Sequence, residues 1–172
     1  MLGRVKSTEA LAVAELAVWA AVFAVGADFS HFTWWGLTVY TVFLVAYVAG
    51  AGHRVALMVL LVQLVVVVGV VTMSIARCGL LRHTLGDVGP TAYVFGNFLV
   101  HYAPTIGVLA RYSKPSRPWL QSACAAALFA VYCTAKRPNS VYGCAIPYSA
   151  VVVGGTGMLA CLTLIATTIH MD

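Results

Sequence analysis

The sequence predicts an all-α integral membrane protein, a six-transmembrane-helix bundle forming a single polytopic membrane domain over residues 1–172. Three observations lead there. Of the 172 residues, 62% are hydrophobic and 9% charged, whereas a water-soluble domain is about half apolar and about a quarter charged. Six segments each hold the roughly 20 mainly apolar residues that a helix needs to cross about 30 Å of hydrocarbon. No segment shows the alternating pattern of a transmembrane strand. A mean hydropathy of +0.93 excludes a soluble fold, a disordered chain and a nucleic-acid binder. Lys and Arg outnumber Asp and Glu ten to five, but they lie between apolar runs and read as orientation and headgroup contact.

The first segment, 9–27, follows a basic start, Met1-Leu2-Gly3-Arg4-Val5-Lys6, and contains Ala24-Val25-Gly26, which resembles a signal-peptide cleavage site. Glu15 inside the apolar stretch argues for a retained span. The second, 31–51, opens on His31-Phe32-Thr33-Trp34-Trp35, and Gly50-Ala51-Gly52-His53-Arg54 turns it into the third. That third segment, 55–76, is the plainest, with Gln63, Thr72 and Ser74 as its polar residues. Gly79, Gly86, Gly89 and Pro90 break the link to the fourth, 92–110. Lys114-Pro115-Ser116-Arg117-Pro118 leads into the fifth, 118–135, where Pro118 suits a first helical turn. Segments four and five are short enough to lean on their neighbours. The sixth, 147–169, carries Gly154-Gly155-Thr156-Gly157, small residues that permit close helix approach within the bundle or to a partner helix.

The loops on the N-terminal side hold six basic residues (Arg4, Lys6, Arg54, Arg111, Lys114, Arg117) against four opposite (Arg77, Arg82, Lys136, Arg137). This places the N-terminus on the cytoplasmic or matrix side. Cys78 and Cys144 fall in loops of the other side, as free thiols or as a pair if that side is oxidising. Cys124, Cys133 and Cys161 lie within spans and read as small packing residues.

Ionisable groups in hydrocarbon are costly and mark functional candidates. Here they are Glu15 and His101, with Asp28 near a span end. Glu15 reads as a carboxyl paired to a neighbouring helix, as a protonated and hydrogen-bonded carboxyl, or as part of a proton or solute path, and Gln63 as interhelical glue. Asn97 and His101, four apart, share a helix face, and Pro104 frees the carbonyl of Val100. A bis-histidine haem, a retinal lysine, a voltage-sensing arginine ladder and a potassium filter all lack their residues, and no metal or cofactor is expected. Thr33 enters the membrane from the same side as the fourth segment. Counting residues into each span, His101 lies roughly 6–10 Å deeper than Thr33, so Thr38 is the alternative hydroxyl partner.

Together Phe32-Thr33-Trp34-Trp35 and the fourth-span set Asn97, His101 and Pro104 resemble the androgen-induced (FAR-17a-like) membrane protein family. The resemblance covers six spans in topology and about 30 residues in motif. It implies a threonine-dependent lipid-ester hydrolase with Thr33 as nucleophile and His101 as general base. Asn97 is a candidate for orienting the imidazole or donating to the oxyanion, a role the resemblance does not supply. Neutral histidine is the usual base for activating a hydroxyl near pH 7. The expected partners are membrane lipids and partner transmembrane subunits. A reading from a different class is a non-catalytic accessory subunit of a larger membrane complex, such as a respiratory one. The Trp34-Trp35 pair is open to a motif role or to an interfacial aromatic belt.

Overall fold

Every apolar segment is helical in the computed structural model, which describes residues 2–75, 89–136, 141–143 and 148–169. Helix α1 spans Leu2–Gly26, α2 Phe32–Val48 and α3 Ala56–Ile75. Helix α4 (Pro90–Asn97) continues through a π-helical turn at Phe98–Tyr102 into α5 (Ala103–Ala110). Helices α6 (Pro118–Lys136) and α7 (Tyr148–Ile169) complete the chain. Among the described residues, three helical stretches are long and apolar enough to cross a membrane: Ser7–Gly26, Ala56–Ser74 and Pro118–Lys136. Phe32–Val48 and Tyr148–Leu164 are apolar but shorter. Val18, Val25, Val68, Val131 and Val153 project from the outside of the fold, an apolar exterior that suits contact with lipid. Cys78, Cys144, Arg77, Arg82 and Arg137 lie outside the described residues.

Helix α3 is central, packing against α2, α5, α6 and α7, while α1 rests on α2. Its sequence explains this, because a helix that is apolar on all sides is one that can be surrounded. One core lies between α2, α3, α6 and α7 around Phe32, Leu61, Phe129 and Tyr132. The other joins α1, α2, α3 and α5 around Trp19, Leu37, Tyr40, Phe43 and Val108. In α7, a Cβ at Gly155 would strike the Phe129 ring, so this glycine serves internal packing, while Gly154 and Gly157 border open space.

The turn from α2 to α3 is set by hydrogen bonds. The Ala51 N–H donates to the Ala46 carbonyl at 2.7 Å and the Gly50 N–H to Tyr47 at 2.9 Å. Gly50 takes φ of +73°, the left-handed residue this helix-ending pattern requires. Gln121 then fastens the start of α3 to the start of α6. Its Oε1 accepts the Leu57 N–H at 2.9 Å, and its Nε2 donates to the carbonyls of His53 and Ser116. Buried Gln63 joins α3 to α2 as expected of interhelical glue, its Nε2 donating to the Gly36 carbonyl at 2.8 Å.

Glu15 is paired. Its carboxylate receives Arg111 Nη2 at 2.6 Å and the Tyr40 hydroxyl at 2.5 Å. Arg111 Nη1 also donates to the Gly107 carbonyl at 3.1 Å, and the guanidinium lies over the Tyr47 ring. A side chain at Gly107 would collide with the Tyr40 hydroxyl, so the missing Cβ makes room for this contact. Arg111, counted in the sequence as a loop cation, is therefore a buried member of an ion pair tying α1, α2 and α5. Removing one member of such a pair strands the other. Glu15→Leu and Arg111→Leu are each expected to destabilise the detergent-solubilised protein by about 3 kcal/mol, with the double variant regaining most of that loss in denaturant unfolding. Single variants as stable as the parent would show that the pair is not a constraint.

Candidate functional site

The site begins at the loop between α1 and α2. The Ser30 N–H donates to Asp28 Oδ1 at 2.9 Å, and His31 Nδ1 lies 2.8 Å from Asp28 Oδ2. Hydrogen bonds from the Ser30 hydroxyl and N–H hold the Asp28 carboxyl below its ordinary range. Trp35 Nε1 donates to the Phe29 carbonyl at 2.9 Å and fastens the loop to α2. The two tryptophans are used in packing, Trp34 against Phe23 and Trp35 against Tyr132.

Thr33 is the second residue of α2, and its Oγ1 lies 3.1 Å from His101 Nε2. His101 belongs to the π turn between α4 and α5. Pro104, which has no N–H to donate, stands just after that turn. The Ala103 N–H reaches back five residues to the Phe98 carbonyl, and the Thr105 hydroxyl donates to the His101 carbonyl at 3.3 Å. The expected depth offset between Thr33 and His101 is absent. Helix α4 buries none of its residues. Pro90, where α4 begins, lies eleven residues before His101, roughly 16 Å of helix at about 1.5 Å per residue. Thr38 is not the partner, because its hydroxyl donates to the Trp34 carbonyl of its own helix at 2.8 Å.

His101 Nδ1 lies 3.1 Å from the backbone carbonyl oxygen of Asn97. A carbonyl only accepts, so Nδ1 carries the hydrogen and the neutral ring leaves Nε2 as an acceptor. The Thr33 hydroxyl therefore donates to Nε2, which is the arrangement a general base requires. Asn97 thus holds the imidazole through its main-chain carbonyl.

A cavity of about 310 Å³ opens beside Thr33. Its walls come from α2, α3, α6 and α7, including Val66, Gly69, Met73, Phe129 and Met158. Tyr132 and Tyr142 add phenols to this apolar lining. The Tyr142 hydroxyl accepts the Phe32 N–H at 2.8 Å, and Tyr132 donates to the Ser30 carbonyl at 2.9 Å. Burial pushes the Tyr142 phenol above its ordinary value, so it stays protonated. Neither tyrosine was singled out from the sequence. Tyr142 follows Lys136-Arg137-Pro138-Asn139, and its only sequence signal is a phenol in a link on the side where α2 begins.

Among the described residues, no group of three or more His, Cys, Asp and Glu is placed to hold a metal ion. No family model matches the chain, and neither a curated protein nor a solved structure matches it. Nitrogen-15 histidine NMR at neutral pH is expected to find His101 as the Nδ1–H tautomer. An Nε2–H signal would instead make Thr33 the acceptor and leave it without a base.

Proposed function

We propose that this chain is a six-span membrane hydrolase of lipid esters, with Thr33 as nucleophile, His101 as its base and the N-terminus on the cytoplasmic or matrix side. The observation that carries this reading is the Thr33 hydroxyl donating to an acceptor Nε2 of His101 at 3.1 Å, beside an apolar cavity. The resemblance of Phe32-Thr33-Trp34-Trp35 and of Asn97, His101 and Pro104 to the androgen-induced membrane protein family points the same way. The six-pass reading takes the three long helices, the two shorter apolar ones, and α4 with α5 as one crossing.

In the proposed reaction Thr33 Oγ1 bonds to the ester carbonyl carbon while its proton moves to His101 Nε2. The carbonyl π pair becomes an oxyanion. Its collapse breaks the bond to the alcohol oxygen, which takes the proton from Nε2. Water then adds to the acyl-threonine and gives a proton to Nε2. The second collapse releases the fatty acid and returns that proton to Thr33. The Asn97 carbonyl holds the ring in the required tautomer throughout, the part a buried carboxylate plays in a serine triad.

The test is fluorophosphonate labelling of the detergent-purified protein beside Thr33→Ala and His101→Ala. Labelling is expected in the parent, to be lost in Thr33→Ala and to slow by about 10²–10⁴ in His101→Ala. A folded parent that takes no label would overturn the hydrolase reading and favour the accessory subunit. The cavity makes a second prediction. Side chains at Gly69 and Gly154 would enter open space, and both residues line the cavity. Gly69→Leu and Gly154→Leu are expected to shift selectivity from dodecanoate toward acetate esters by at least about tenfold. Unchanged chain-length preference would show that the acyl chain lies elsewhere.

A further inference from the structure

The cavity beside Thr33 lies within one half of the depth of the bundle. Helices α2 and α3 run antiparallel, since Gln63 reaches the Gly36 carbonyl across the turn at Gly50. Helices α3 and α6 run parallel, their starts joined by Gln121. Helix α7 returns antiparallel to α6, with the Tyr148 hydroxyl donating to the Cys133 carbonyl at 2.8 Å. The cavity takes Phe32 and Thr33 from the start of α2 and Phe129 and Tyr132 from the second half of α6. From α3 it takes residues between Val65, at the midpoint, and Met73. From α7 it takes residues between Ala150 and Met158, all in the first half. Every contribution therefore comes from the half where α2 begins. Val65 to Met73 is roughly 12 Å of helix at about 1.5 Å per residue, so the cavity runs along the helices.

It is also open sideways. Val68 is 44% exposed, and Thr72, Ala150 and Gly154 are exposed as well, although all four line the cavity. These residues belong to α3 and α7, so the opening lies between those helices on the flank of the bundle. The inner wall is buried, Val66 being 5% exposed. An α-helix about 10–12 Å across is too wide for a space of about 310 Å³, and a single hydrocarbon chain is not. Among the described lining residues there is no Lys, Arg or His. A carboxylate would go unpaired there, whereas an ester carries no charge.

We propose that a lipid ester enters this cavity sideways from the bilayer, between α3 and α7, with its acyl chain in the leaflet on the side where α2 begins. With the N-terminus on the cytoplasmic or matrix side, that is the opposite leaflet. The direction of the cavity along the helices matches the direction of chains in that leaflet, so the chain stays in hydrocarbon throughout. The ester has only to reach Thr33, at the edge of the same leaflet. The leaflet follows from the six-pass topology, and the fate of the ester rests on the reading of Thr33 as nucleophile.

The test uses the full chain in dioleoylphosphatidylcholine liposomes, with lysophosphatidylcholine carrying a mid-chain diazirine added to the outer leaflet. Protease access to an N-terminal tag sorts the inserted molecules by orientation, and mass spectrometry locates the photo-crosslinks. Crosslinks on buried Val66 and Phe129 are expected in molecules whose tag is shielded, in Thr33→Ala as in the parent. Gly154→Trp and Val68→Trp, which fill the opening, are each expected to lower that yield by at least about tenfold. Val71→Trp, exposed on α3 outside the cavity, is expected to leave it unchanged. Either filling variant suffices should the other not fold, and an undiminished yield in the folded ones would overturn the proposed opening. Crosslinks confined to the outer surface of a folded parent would overturn lateral entry, even where fluorophosphonate labels Thr33 and the hydrolase reading stands. Equal yield in both orientations would overturn the leaflet assignment. Crosslinked Val66 in a protein that takes no fluorophosphonate would support the entry route and remove the hydrolase reading.

Discussion

Hydrocarbon offers no hydrogen-bonding partner, so a polar side chain in this fold is held by another part of the chain or costs several kcal/mol. Thr38, Thr41 and Ser74 meet that constraint within their own helices, whereas three of the longer side chains meet it with a bond between helices distant in sequence. Gln63 binds the carbonyl of Gly36, Gln121 binds the start of α3, and Glu15 binds Arg111 and Tyr40. These contacts join α1 to α5, α2 to α3 and α3 to α6. Apolar packing among the same helices is adaptable in rotation and depth. The polar bonds are not, and they fix which face of each helix meets its neighbour.

The contact between Thr33 and His101 belongs to the same set. A histidine among apolar helices needs a partner for each ring nitrogen, and the fold supplies a carbonyl for one and a hydroxyl for the other. The carbonyl comes from the helix itself, four residues back, beside the π turn that precedes Pro104. Irregular helical turns of this kind often coincide with functional sites. Here the local chain geometry has a definite chemical consequence, since it places a lone pair rather than a hydrogen opposite Thr33. The proline, the altered hydrogen-bond register of the π turn, the ring position and the tautomer are thus found together within one short stretch of helix.

The helices were legible because apolar length is written directly in composition, and the need of Glu15 and Gln63 for partners was legible from their surroundings. The identity of those partners was not. Arg111 reads as a loop cation until a contact 96 residues away buries it. The choice between Thr33 and Thr38 depends on helix rotation: five residues apart, they face directions about 140° different, and apolar residues on every side of α2 leave that rotation unmarked. The part played by Asn97 falls to a backbone carbonyl, which every residue has, so its side chain carried no signal. Tyr142 lies in a short link without periodicity, and its approach to Phe32 spans 110 residues. Helix α4 begins at Pro90, two residues before the segment the hydropathy marks, and the relative depth of two helices is not written in residue counts along each of them.

Thr33 occupies a boundary. Before it in the chain lies a polar loop in which Asp28, Ser30 and His31 bond to one another, with Asp28 60% exposed on its side chain. Beside it lies a cavity whose walls are mostly valine, methionine, glycine and aromatic rings. The proposed ester hydrolysis would need both surroundings, an apolar space for a chain that is insoluble in water and a polar route for the water that ends the cycle. A nucleophile in the middle of α2 would have the first and lack the second. At the second residue of the helix, the hydroxyl is one turn from the polar loop and still opens on the cavity. On the proposed hydrolase reading, that placement accounts for a threonine at the start of its helix and for a base drawn from the π turn of a neighbouring one.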